Sequence, residues 1–318
     1  MSVCLVTGGA GFLGRELCFQ LYAAGHHIVV IDKGTYAARP DLLHPYRDRL
    51  RVLERDVRDL DFLFGASAVF HLAAESHVDN SITDAEKFIE SNVGGTYRLL
   101  ELIRGQRPHD RPTLIHVSTD EVYGDVTPDW QSLEEDPLLP SSPYSASKAA
   151  ADMLVMAWQR TYGLKARIVR PSNAYGPHQY PEKLIPKTIR AWQTGKRMTI
   201  HGDGTQTRSW LSVEDCARAF LAVWERGQDG EIYNVPGNME VSVRSVVKRI
   251  QHLCAEREYV GDPPPAKVPL YDCERPGGDR AYRVNGDRLL KLGWSPRGNL
   301  MTDLEQIVRL ELESGIRI

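Results

Sequence analysis

The sequence predicts an α/β fold: a doubly wound parallel sheet followed by a smaller C-terminal α/β portion. Three observations predict it. Short apolar runs, as in strands buried on both faces, alternate with stretches of helical spacing through the first 171 residues. The first of these runs leads straight into a glycine-rich turn, Thr7-Gly8-Gly9-Ala10-Gly11-Phe12-Leu13-Gly14. Beyond Pro171 the composition shifts toward Pro, Gly and basic residues.

Val3-Cys4-Leu5-Val6 reads as the first strand and Arg15 to Ala24 as the helix after the turn, which Gly25 stops. Glycine is needed where the chain turns tightly, where backbone approaches a pyrophosphate and where helix packs on strand. The helix N-terminus offers free N–H groups and a positive dipole end to phosphates. His27-Ile28-Val29-Val30-Ile31 is a second strand closing on Asp32. That acid lies 18 positions after Gly14, against the roughly 20 expected of a ribose-binding carboxylate. A carboxylate accepts a hydrogen bond from a 2'-hydroxyl and repels a 2'-phosphate, so the cofactor expected is NAD rather than NADP, although Lys33 stands beside it.

Tyr36 to Arg49 reads as a surface excursion near the adenosine end. Arg51-Val52-Leu53-Glu54 is a third strand, and Asp56 is placed to meet the adenine amino group. Ala68 to Leu72 is the fourth strand, and the small Ala73 and Ala74 after it let a cofactor come close. Glu86 to Arg104 has the apolar spacing of one helix, and Leu114 to Val117 is the fifth strand. With right-handed crossovers, ligands lie off the carboxyl ends of such strands. Thr119, Asp120 and Glu121 fall there.

Two groups of residues carry chemistry. Thr119-Asp120-Glu121 offers a hydroxyl and two adjacent carboxyls after a buried strand. Partly desolvated neighbours push each other's pKa values apart, leaving one as an acid and the other as a base. Tyr144 and Lys148 lie one helical turn apart, on one face of a helix that Pro143 opens and Gly163 ends. An ammonium there is expected to lower the phenol's pKa toward the range of a general base. Tyr-x-x-x-Lys alone is a weak signal in a chain with 13 tyrosines; its place after the cofactor sheet is what gives it weight.

In the second half Lys165 to Val169 reads as the sixth strand, Trp210 to Glu225 as a helix returning to the first domain, and Ile232 to Val235 as a further strand. Ser242 to Glu256 is amphipathic, Gly261 to Pro265 a stiff connector, and Leu300 to Leu312 a final helix. Leu289, Leu290, Leu292 and Trp294 read as packing, and Arg190, Lys196 and Arg197 as solvated surface. There are no internal repeats. The domains expected are 1–171 with 210–236 for the cofactor, and 172–209 with 237–318 for the substrate.

Composition excludes several classes. A length of 318 residues suits two domains, and 42% hydrophobic with 25% charged residues is ordinary for a globular protein. A formal net charge of -3 gives no reason to expect nucleic acid as a partner. No apolar run approaches the roughly 20 residues of a membrane helix. The N-terminus reads directly into a strand, so no signal peptide is expected. Five cysteines without a CxxC pair argue against a disulfide framework or a metal site, and Cys4 and Cys18 read as core filler. A cytoplasmic setting follows.

The chain resembles the extended short-chain dehydrogenase/reductases that act on nucleotide sugars, and within them the dTDP-glucose 4,6-dehydratases. The likeness runs through the glycine turn, Asp32-Lys33, Leu72 to Asp79, Ser118 to Gly124, Pro143 to Lys148, Ser172-Asn173 and Tyr175 to Pro177. Pro181 to Pro186, Gly202 to Arg208, Trp210 and Arg275 to Arg280 complete it. Thr-Asp-Glu together with Pro-Glu-Lys-Leu-Ile-Pro is the specific part. The resemblance implies a Rossmann-like fold with bound NAD and a nucleoside-diphosphate sugar substrate. It also implies a homodimer that pairs the Glu86–Arg104 and Tyr144–Tyr162 helices as a four-helix bundle.

It further implies roles by position. Cofactor contacts would be Gly8, Gly11, Phe12, Leu13, Gly14, Asp32, Lys33, Thr35, Asp56, Val57, Leu72, Ala73, Ala74, Ser76, Ser91, Tyr144 and Lys148. Thr119 would hydrogen-bond the sugar C4 oxygen, Tyr144 would take its proton, and Lys148 would hold the nicotinamide ribose. Glu121 would remove the C5 proton and Asp120 would protonate the departing C6 hydroxyl. Ser76, Thr119, Asn173, Lys183, Leu184, Arg208, Asn234 and Arg275 would contact the substrate, the arginines at its phosphates. Ala174, Ser209 and Gly278 depart from the family pattern, all around the nucleotide and cofactor. The rival readings are a 4-epimerase or UDP-glucuronate decarboxylase on the same scaffold, or a non-catalytic NAD-sensing protein.

Overall fold

The computed structural model describes residues 1–127, 129–258, 270–273 and 276–313. Its first half alternates strand and helix: β1 (Val3–Thr7), α1 (Phe12–Ala23), β2 (His27–Asp32), β3 (Leu50–Glu54) and β4 (Ala68–His71). Next come α2 (Val78–Thr83), α3 (Glu86–Phe88), α4 (Gly95–Arg104), β5 (Thr113–Val117) and α5 (Pro143–Tyr162). The second half holds β6 (Ala166–Pro171), β7 (Asn173–Tyr175), α6 (Leu184–Thr194), β8 (Met198–His201), β9 (Thr207–Ser212) and α7 (Val213–Arg226). It ends with β10 (Ile232–Val235), β11 (Met239–Ser242), α8 (Val243–Glu258), β12 (Leu270–Cys273), α9 (Asp287–Leu290) and α10 (Leu300–Glu313).

Seven strands form one sheet in the order β10-β6-β5-β4-β1-β2-β3, every pairing parallel. Side-chain alternation explains its two covers. Cys4, Val6, Ile28, Val30, Ile115 and Val117 point into one core with Leu17 and Leu21 of α1 and Phe220 of α7. Leu5, Ile31, Leu114 and Ile168 point into the other, with Leu99 and Ile103 of α4 and Val155 of α5. The strand order reverses between β1 and β4, and the crevice at such a switch point is where ligands bind. A smaller sheet, β11-β9-β7, and the pair β12-β8 flank a separate core of α6, α8 and α10.

Four expectations are corrected. The run from Glu86 to Arg104 is not one α-helix, because Ile89–Gly94 forms a π turn between α3 and α4. Buried Asn92 explains it: its side chain exchanges hydrogen bonds with the Glu75 backbone (2.8 and 3.0 Å) and donates to Ser147 Oγ (2.8 Å). Trp210 belongs to β9, and α7 starts only at Val213, where the Ser212 hydroxyl caps the Asp215 N–H at 3.1 Å. Leu43, inside the supposed surface excursion, is fully buried in the core. Leu290 is exposed, whereas Leu289 and Trp294 are buried. The connector at 261–265 lies outside the described residues. Among those described, no helix is long and apolar enough to cross a membrane.

Candidate active site

A cavity of about 320 Å³ opens at the switch point, and the glycine turn forms one wall of it. Gly8 has φ +70°, and a Cβ there would sit 2.7 Å from the Ala73 nitrogen. A Cβ on Gly14 would come within 2.2 Å of the Gly8 carbonyl oxygen. A Cβ on Gly11 would meet only that carbonyl, at 3.2 Å, so the turn is tight within itself and open toward the cavity. No side chain caps the α1 N-terminus, which leaves its N–H groups for an anion. The Asp32 carboxylate closes β2, accepting from Ala10 N–H and Gly34 N–H, both at 3.0 Å. These residues fit a dinucleotide. Phe12, Leu13, Thr35, Val57, Leu72, Ala73, Ala74 and Ser76 also line the cavity.

Three further lining residues are held by their neighbours. Lys33 pairs with Glu75 at 3.1 Å and donates to Ser91 Oγ at 2.9 Å, so its ammonium is directed across the cavity wall. The π turn is what brings Ser91 there. The Asp56 carboxylate accepts from Arg58 Nη2 at 3.0 Å and from the Arg58 backbone N–H at 2.9 Å.

The other wall carries hydroxyl and ionisable groups, with Thr119, Asp120, Glu121, Tyr144 and Lys148 all lining the same cavity. After β5 the chain makes a 3₁₀ turn, Asp120–Tyr123, whose N-cap Thr119 accepts the Glu121 N–H at 3.3 Å and donates to Asp120 Oδ1 at 3.4 Å. Asp120 is buried. Burial, and then the charge of Glu121, push its carboxyl up to about 7. Ser172, Arg208 and Thr119 act the other way. Opposite stands α5, started by a capping box between Ser142 and Ser145, with Pro143 at its first position, and stopped by Gly163 at φ +64°.

Tyr144 and Lys148 are both buried on that helix. Lys148 Nζ donates to the Val117 carbonyl at 2.8 Å, which fastens α5 to the end of β5. Burial lowers its pKa to about 8, against the opposing charge of Asp152. The expected lowering of Tyr144 is not found. Burial and the charge of Glu121 hold the phenol above its ordinary range, and the Thr119 hydroxyl is the group opposing them.

On the substrate side Ser76, Asn173 and Lys183 reach the cavity. Arg208 lines a second cavity of about 1070 Å³ with His201, Gln206, Gly278 and Arg280, and its charge is felt at Asp120. Two expected contacts are not brought in. Leu184 packs against the second core. Asn234 is fully buried and committed elsewhere, accepting from Tyr123 Oη at 2.8 Å and donating to the Ser132 carbonyl at 3.1 Å. Arg275 lies outside the described residues. Of the departures, Ala174 lines the first cavity, Gly278 the second, and Ser209 Oγ accepts the Gly237 N–H at 2.9 Å.

Ser118, Ser172, Gln179, Tyr180 and Glu182 also line the cavity, although no role was assigned to them from the sequence. Ser118 and Ser172 each follow directly on the carboxyl end of a sheet strand, and that position was the available signal.

Comparison with known proteins supports the same reading. The model of the NAD dependent epimerase/dehydratase family matches residues 4–236. A dTDP-glucose 4,6-dehydratase of Neisseria gonorrhoeae is 42% identical, over 98% of this chain and 96% of its own. The solved structure of DesIV, a dTDP-glucose 4,6-dehydratase from Streptomyces venezuelae with NAD and TYD bound, is 36% identical. It superposes with a TM-score of 0.88, over 98% of this chain and 97% of its own. A UDP-glucuronic acid 4-epimerase from Bacillus cereus, solved with UDP-glucuronic acid and NAD, superposes at 0.89 with 25% identity, over 98% and 99%. Backbone shape therefore does not separate the two chemistries, whereas sequence identity favours the dehydratase. The chain belongs to the NAD dependent epimerase/dehydratase family.

Proposed function

We propose that this chain is an NAD-dependent nucleoside-diphosphate-hexose 4,6-dehydratase, a lyase similar to the dTDP-glucose 4,6-dehydratases. It converts the hexose to its 4-keto-6-deoxy form. One observation carries the proposal. A buried carboxyl with a pKa near 7, Asp120, shares the cavity of Tyr144 and Lys148 with a second carboxyl, Glu121, beside it. A 4-epimerase needs the oxidising pair alone, but losing water also needs an acid and a base.

NAD, when bound, would supply the acceptor for the C4 hydride and the donor for C6. Gly8, Gly11 and Gly14 present backbone to its pyrophosphate, Asp32 accepts from a ribose hydroxyl, and Lys148 holds the nicotinamide ribose. Tyr144 removes the C4 hydroxyl proton, a role in which the charge of Lys148 has to offset the burial that raises the phenol, while Thr119 hydrogen-bonds the C4 oxygen. With C4 a ketone, the C5 proton is acidic enough for Glu121 to take. Asp120 gives its proton to the C6 hydroxyl, which leaves as water, and Glu121 then returns its proton to C5. One turnover leaves a proton too many on Tyr144 and one too few on Asp120. Thr119, in contact with both, stands where that difference is made good.

Residues 1–171 with α7 and β10 hold the cofactor, and the remainder holds the nucleotide sugar, with Lys183 and Arg208 at the phosphates. The protein works as a homodimer, a reading supported by large apolar side chains left exposed along α4 and α5. Incubation with dTDP-, UDP-, GDP- and CDP-glucose and with UDP-glucuronate, followed by mass spectrometry, tests the activity. Loss of one water from a nucleoside-diphosphate glucose is expected. A product of unchanged mass and inverted C4, or loss of carbon dioxide from the glucuronate, would sink the proposal.

A further inference from the structure

Beneath the cavity lies a cluster of buried ionisable groups that the reaction does not use. His116 of β5, Asp152 of α5 and Arg170 of β6 are all buried, each 1% exposed or less. Asp152 Oδ2 accepts from Arg170 Nε at 3.0 Å, and Oδ1 lies 3.3 Å from His116 Nε2. Arg170 is anchored from behind: it donates to Tyr123 Oη at 2.6 Å and stands 4.8 Å over that ring. Bare charges are not tolerated at such depth, so a cluster like this must balance its own charge and that of its surroundings.

Asp152 lies four residues after Lys148, hence on the same face of α5. The Lys148 ammonium itself donates to a neutral carbonyl, that of Val117, which orients it without cancelling its charge. From the sheet side His71 and His116 face it, their rings 5.5 Å apart. Burial and the nearby Lys148 charge keep both imidazoles below their ordinary pKa, so neither competes for a proton near pH 8. On its own helix Tyr144 and Asp152 face it, while Asp120 and Glu121 act on Tyr144 from the turn after β5. Arg170 reaches the group through Asp152. The neighbouring π turn contributes the neutral Asn92, through Ser147.

We propose that Asp152 is a positioning residue, the buried counter-charge that balances the Lys148 ammonium from beneath the cofactor site and is itself held in place by Arg170, with His116 beside it. The proposal rests on the role given to Lys148 above. Arg170 takes up part of the Asp152 field, so carboxylate and guanidinium act on Lys148 with opposite sign. A scaffold that merely held α5 against the sheet would not distinguish the two.

The test labels the protein with 13Cε-lysine, identifies the Lys148 resonance from its loss in Lys148→Met, and follows it with pH. The parent midpoint is expected near 8. In Asp152→Asn it should fall by about one pH unit. In Arg170→Met it should rise, and in Asp152→Glu, which keeps the charge, it should stay near the parent. A midpoint unmoved by either charge-removing variant, or moved the same way by both, overturns the proposal. Where Asp152→Asn does not fold, an unmoved midpoint in Arg170→Met overturns it alone. If no nucleotide sugar is turned over, the dehydratase reading fails, and the resonance still reports the counter-charge.

Discussion

At the scale of single residues, depth sets two adjacent carboxyls apart, as their proposed tasks require. Asp120 points into the protein and keeps its proton to about pH 7, whereas Glu121 is only partly buried. Asp120→Asn keeps the shape but cannot donate as an acid, so water loss should slow by about 10²–10⁴-fold. Mass spectrometry should then find the 4-keto hexose with its C6 hydroxyl retained; a normal 6-deoxy product at the parental rate would remove the acid role. In the parent, the rate of water loss should fall as pH rises through about 7, because the acid form is lost. Stability carries the same signature. Between the ordinary carboxyl value of 3.8 and about 7 the folded chain binds this proton and the unfolded chain does not. Rising pH through that window therefore favours unfolding. Asp120→Asn should melt above the parent at pH 8, the gap closing toward pH 4. That Thr119, Asp120, Glu121, Tyr144 and Lys148 share one cavity was legible in sequence because they follow a strand end or share a helix face. Nothing local to Asn234, by contrast, reveals that Tyr123 and Ser132, more than a hundred residues earlier, hydrogen-bond its amide.

At the scale of elements, the glycine turn is a packing device before it is a binding site. A methyl group on Gly14 would stand 2.2 Å from a backbone carbonyl that has no room to move, since α1 leaves the turn at that point. Gly14→Ala should therefore yield protein without bound NAD, melting well below the parent, as cofactor release on denaturation and calorimetry would show. Retained NAD with an unchanged melting temperature would mean that the turn yields more easily than its geometry implies. The seven strands of the large sheet read within a residue or two because each faces two cores and carries a short, largely apolar run, whereas β7, β8, β11 and β12 outside it were not read. The π turn at Ile89–Gly94 was not legible, since one residue added to a helical repeat leaves the apolar spacing almost intact. β9 was missed for another reason. Its partners β7 and β11 lie far along the chain, and Trp210 and Leu211 are shared between two cores, which imitates the start of a helix.

At the scale of the whole molecule, one surface is out of keeping with the rest. Ile89, Tyr97, Met153, Met156 and Tyr162 are each at least 40% exposed, and they lie on the π turn, α4 and α5, which pack on one another. Exposed apolar side chains on packed elements fit an interface, and a two-fold copy of the same elements is the simplest cover for them. The surface backs directly onto the site. The π turn that exposes Ile89 also brings Ser91 to the cavity and Asn92 to Glu75, and the α5 that exposes Met153 and Met156 carries Tyr144 and Lys148. Pairing across this face would therefore stiffen the cofactor wall as well as bury apolar area. Light scattering at micromolar concentration should give twice the 35.8 kDa of one chain. Tyr97→Glu with Met153→Glu places charge in the middle of the face and should yield a folded monomer with weaker NAD binding by calorimetry. A monomeric parent, or a double variant that stays dimeric, would place any interface elsewhere.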